Sequence, residues 1–105
     1  MEAETPSRRL LGLPRQRVLG LEVAVAAGRR SRLLGLAGLS RELAGAGLLI
    51  PRCRSVHTFG MRFALDVHFL DGDGLPLAAW LGVTPCRVVW CRRAEAVLEV
   101  PSPAS

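Results

Sequence analysis

The most constraining feature of this chain is a single stretch in its middle. Phe63, Leu65, Val67 and Phe69 alternate with Arg62, Ala64, Asp66 and His68, and Leu70 leads into Asp71-Gly72-Asp73-Gly74. A period of two puts the apolar set on one face of an extended strand and the polar set on the other. The Asp-Gly pairs that follow tolerate positive φ and read as a tight turn. Leu75 to Leu81 then reads as the returning strand of a hairpin.

Weaker signals of the same kind surround it. Leu19, Leu21, Val23 and Val25 alternate from Val18 onward, Leu48-Leu49-Ile50 is a short buried strand stopped by Pro51, and Arg87–Cys91 and Ala96–Val100 read as two more strands. Arg29 to Leu43 is the one helical stretch, with Leu33, Leu36, Ala37 and Ser40 at helical spacing. Gly35 and Gly38 each weaken it by about 1 kcal/mol relative to Ala, so the expectation is a short or broken helix ending before Gly45. Residues 1–17, broken by Pro6 and Pro14, read as a flexible lead-in. Residues 18–100 form a single domain, and 101–105 a flexible tail. The fold class is mainly β: a compact antiparallel sheet, barrel-like or sandwich, with one short helix.

Length and composition exclude several classes. A chain of 105 residues holds one core. Three cysteines are too few for a disulfide-stapled miniprotein, and no apolar run approaches the ~18–20 residues of a membrane span. The apolar patch Leu10–Leu13 ends at Pro14, short of the ~7–15-residue core of a secretory signal. A cytoplasmic protein with reduced thiols is the simplest expectation. All 14 basic residues are arginine and the net charge is +5. The arginines are scattered in pairs, with only five aromatics and no tyrosine to stack bases, which argues against a dedicated nucleic-acid module.

Functional side chains crowd between Arg52 and Asp71. That window holds both histidines and, with Asp73, all three aspartates, as a site carried by a rigid scaffold would. His57 can exchange protons near neutrality. Asp66 and His68 share a strand face and can pair as a partly exposed ion pair. Cys53, Cys86, Cys91 and His57 lack the spacing of a zinc knuckle, so no metal and no cofactor is expected. Neither a Gly-x-Ser-x-Gly elbow nor a phosphate loop is present.

The leading reading is a binding module in which Arg52, His57, Thr58 and Arg62 recognise a polar or anionic ligand. Arginine supplies charge and forked hydrogen bonds, and Thr58 and His57 set orientation. Two alternatives stay open. One is a small enzyme with His57 as acid/base and Asp66 as its partner. The other is a protein-interaction accessory factor working through its arginine-bearing helix or a strand edge.

The run Leu49-Ile50-Pro51-Arg52-Cys53, the block Val56-His57-Thr58-Phe59-Gly60-Met61-Arg62-Phe63, then Leu65-Asp66, Phe69-Leu70-Asp71 and Val97-Leu98-Glu99-Val100 resemble the bacterial and archaeal family called domain of unknown function 192. The likeness covers roughly residues 18–100. It implies a compact β-rich fold with one helix and an unassigned biochemical role. Many relatives look exported, whereas the branch with the His-Thr-Phe-Gly-Met form looks like cytoplasmic companions of secretion or pilus systems. This chain departs from the family pattern after Leu98-Glu99, where Val100-Pro101-Ser102 replaces a glycine turn. It also has Ala37-Gly38 where a methionine usually follows the Gly-Leu pair.

Overall fold

A computed structural model describes residues 10–26 and 28–103. The elements run β1 (Arg15–Val18), β2 (Leu21–Val25), α1 (Arg29–Leu34), α2 (Arg41–Ala44), β3 (Leu48–Pro51), β4 (Ser55–His57), β5 (Leu65–Leu70), β6 (Pro76–Val83), β7 (Val88–Trp90) and β8 (Ala96–Pro101). Six strands form one sheet in the order β1-β2-β3-β8-β5-β6, and β4 pairs with β7 in a separate ribbon. Every pairing is antiparallel except β2 with β3. The fold is therefore mainly β, as expected. Among the described residues no helix is long and apolar enough to cross a membrane.

The central hairpin forms where the alternation placed it. Leu65, Val67 and Phe69 are fully buried, and Asp71 organises the turn by accepting the N–H groups of Asp73 (2.8 Å) and Leu75 (3.0 Å) on Oδ1. Two expectations need correction at the N-terminal end. Leu19 belongs to no strand: it and Gly20 make a two-residue turn with φ of 49° and 81° between β1 and β2. Positive φ at both positions matches the twist of a hairpin, and the pairing holds even a leucine there. Arg15–Val18 is thus a strand although its first three residues, Arg15 to Arg17, fall within the expected lead-in; residues 1–9 of that lead-in and 104–105 of the expected tail lie outside the described residues.

The expected helix is broken into two. Gly35 ends α1 at φ 53°, and Ser40 begins α2 by accepting the Leu43 N–H on its hydroxyl. Leu36 is buried, but Leu33, assigned to the same face, is 69% exposed. A helix of six residues has too few turns to hold a regular apolar stripe.

Both faces of the sheet carry core. On the helix-covered face Leu48, Ile50, Leu65, Val67, Phe69 and Val97 pack with Leu36 and Met61. On the other, Val18, Val23, Leu49, Leu70 and Leu98 pack together. β8 lies inside the sheet between β3 and β5 and is buried on both sides.

Candidate functional site

Under α1 lies a cavity of about 210 Å³. It is lined by Arg32 through Leu36, by Ile50 and Cys53 at and after the end of β3, by Ser55–His57 of β4, by Met61, and by Glu99 of β8. These residues come from five parts of the chain that the sheet and ribbon bring together.

Glu99 gives the cavity its chemical character. It faces Leu48 on one side of β8 and Val67 on the other, and is 3% exposed. Burial in apolar surroundings disfavours its charged form and pushes the pKa from the ordinary 4.5 up to about 7, against a smaller opposing effect from the Leu36 N–H. Its Oε1 is buried and has no hydrogen-bond partner. A side chain on Gly35 would put its Cβ 2.9 Å from that oxygen, so glycine at the end of α1 keeps the carboxyl group its room.

His57 contributes a second orphan. Its Nδ1 is buried without a hydrogen-bond partner, and its ring stacks on Phe59 with centroids 5.5 Å apart. Unpartnered buried polar atoms are rare because each forfeits its hydration; here two belong to residues that line one cavity. Cys53 donates its thiol to the Ser55 carbonyl at 3.1 Å, and burial raises its pKa. Arg32 donates to the carbonyls of Pro51 and of Arg52, the latter at 3.0 Å. The guanidinium thereby ties α1 to a turn where Arg52 adopts φ 52°, in the left-handed region. Carboxyl, imidazole, thiol and guanidinium groups thus meet in one partly enclosed space. It can accept hydrogen bonds, and near neutral pH it can give or take a proton.

Of the residues singled out from sequence, His57 alone among Arg52, His57, Thr58 and Arg62 lines this cavity. Arg52 and Arg62 are exposed, each one residue from a lining side chain, Cys53 or Met61. Thr58 is completely buried and its hydroxyl is committed to backbone: it donates to the Thr84 carbonyl at 2.8 Å and accepts the Arg87 N–H at 2.8 Å. It locks the segment carrying His57 against the chain before β7. Asp66 is not in the cavity; its Oδ1 accepts the Gly82 N–H at 2.8 Å. That bond uses the carboxylate to hold β6, so His57 Nδ1 gains no orienting partner from it. Cys53 and Cys91 are half-buried and Cys86 is exposed. Among the described residues no cluster of three metal-ligand side chains is placed to hold an ion.

Glu99 lies outside the 52–71 window into which the functional side chains crowd in sequence. Its signal was present nonetheless. Ala96–Val100 carries apolar residues at both parities, the mark of a strand buried on both faces, and a carboxylate inside such a strand has nowhere to go but the core.

The fold recurs in solved structures. A candidate transcription regulator from Sinorhizobium meliloti superposes with a TM-score of 0.68 at 21% identity, over 84% of this chain and 78% of that one. A protein of unknown function from Novosphingobium aromaticivorans superposes with a TM-score of 0.61 at 16% identity, over 87% of this chain and 83% of that one. At such identities the likeness establishes the fold. No curated protein matches the chain. The family model for domain of unknown function 192, described as an uncharacterised ACR, matches residues 13–104. The chain belongs to that family.

Proposed function

We propose that the protein is a binding module whose cavity under α1 takes a small polar ligand, held by His57 and Glu99. The observation that carries this reading is the pair of buried, unpartnered atoms, His57 Nδ1 and Glu99 Oε1, on residues lining one cavity. A ligand with hydrogen-bond donors would satisfy both. At about 210 Å³ the space is below the ~300–1,000 Å³ of drug-sized sites, so the ligand is a molecule of few heavy atoms. Arg52 and Arg62 flank the cavity lining in sequence and supply cationic approach for a ligand bearing an anionic group. Such a ligand requires Glu99 to be protonated, because two negative charges in one apolar cavity repel strongly. Thr58 contributes by fixing the His57 segment.

Among the described residues neither helix exceeds six residues, too short to lay a recognition helix along a major groove. That favours ligand binding over the DNA reading suggested by one neighbour's name. The test is amide NMR of the labelled protein titrated with pooled nucleotides, sugar phosphates, small amides and amines, and short RNA. Shifts are expected at residues 32–36, 53–61 and 97–100, and a His57→Phe variant should abolish them while keeping the folded spectrum. Shifts spread over the exposed arginines and erased by salt would instead mean nonspecific polyanion binding and overturn the proposal.

A further inference from the structure

β6 is an edge strand of the large sheet, and every residue from Pro76 to Gly82 is exposed. From Leu75 to Pro85 the chain carries no charged side chain. Exposed edge strands are normally protected by lysine or other charges; here Pro76 and two breaks of register against β5 are the protection. The breaks leave Ala78, Ala79 and Trp80 regularly paired with Phe69, His68 and Val67. Across the corner, Trp80 faces β7, and with Val88, Val89 and Trp90 it lines an apolar cleft of about 360 Å³.

Leu75, Leu77, Trp80, Leu81, Val88 and Trp90 are each between 42% and 70% exposed. Because neighbours along a strand alternate, Trp80, Val88 and Trp90 lie on one side of this edge and Leu77 and Leu81 on the other. Taking ~150–250 Å² for a whole aromatic side chain and somewhat less for an aliphatic one, the two faces together present about 600 Å² of apolar surface. That is at the top of what monomers ordinarily leave open and most of the ~800 Å² each partner buries in a standard interface.

We propose that this surface is where a second copy of the chain docks, through a two-fold interface centred on β6 and Trp80. An isologous contact places the same patch on both sides, which suits a surface that is apolar and uncharged throughout. A partner chosen by charge would find nothing to pair with between residues 75 and 85. The exposed Arg87 and Arg92 bracket β7 in sequence and would lie at the polar rim. Because both copies are positively charged, added salt should strengthen the association.

The chain's two tryptophans both lie in the patch, so assembly reports itself. Sedimentation equilibrium of the full chain should show a mass rising with concentration from 11.3 kDa towards twice that value, with a blue shift of tryptophan emission over the same range. Leu81→Lys, altering a residue that is 70% exposed, should raise the dissociation constant at least tenfold and leave the circular dichroism spectrum unchanged. Leu11→Lys, at a residue that is 57% exposed and lies outside both this patch and the cavity under α1, should change neither. A wild-type protein that stays at 11.3 kDa up to millimolar concentration would overturn the proposal, as would a dimer that survives Leu81→Lys.

Discussion

Replacing Glu99 with Gln tests the character of the cavity directly. The carboxyl group is 3% exposed, and its pKa rises from 4.5 to about 7 on folding, chiefly because burial disfavours the charge. In the unfolded chain Glu99 loses its proton near pH 4.5, whereas in the folded chain it keeps it until about pH 7. Between those values the folded state binds one more proton, so stability falls as pH rises. A difference of about 2.5 pH units at 1.36 kcal/mol each amounts to roughly 3 kcal/mol. Below pH 4.5 the penalty is absent, and above about 7 it is fully developed. Gln has nearly the same shape, can accept the Leu36 N–H, and does not titrate. The stability of Glu99→Gln minus that of wild type, from urea unfolding at pH 4 to 8.5, should therefore climb by about 3 kcal/mol across that range. The subtraction removes every other titrating group common to both proteins. A difference that stays flat would mean Glu99 ionises freely in the fold, and the account of a desolvated carboxyl would fail.

Thr58→Val should cost about 1–3 kcal/mol, because the Arg87 N–H and the Thr84 carbonyl lose a hydroxyl that no water replaces at a completely buried position; a loss below 0.5 kcal/mol in chemical unfolding would refute that role. Gly47→Ala should be more damaging still. Its Cβ would sit 2.5 Å from the Glu99 carbonyl oxygen at a φ of 151°, so β3 cannot keep its register with β8, and the variant should show a much lowered Tm or fail to accumulate as folded protein.

Local chemistry made part of this fold legible. The 63–70 alternation ending in Asp-Gly-Asp-Gly gave the β5–β6 hairpin, since strand period and turn residues are properties of neighbours in sequence. Gly35 and Gly38 likewise signalled the broken helix. β1 and β4 were missed for one reason: each is short, with only one buried residue, Val18 or Val56, and a strand held mainly by its partner's backbone leaves little pattern in its own side chains. The site was legible in one residue. His57 stood out by type, and the cavity contains it. Thr58 also stood out by type, but whether a hydroxyl faces a ligand or a backbone carbonyl depends on what packs above it.

By itself the sequence determined the class of fold, the central hairpin and the family, because each rests on local periodicity or on a contiguous block of residues. Tertiary structure alone decided the site. Glu99 lies 42 residues after His57 in the chain, and they share a cavity only because β8 inserts between β3 and β5 while Thr58 holds the His57 segment against the loop before β7. The raised pKa of Glu99 has the same origin: desolvation depends on the whole shell of atoms around a group, and that shell is gathered from α1, β3, β5 and β8 together.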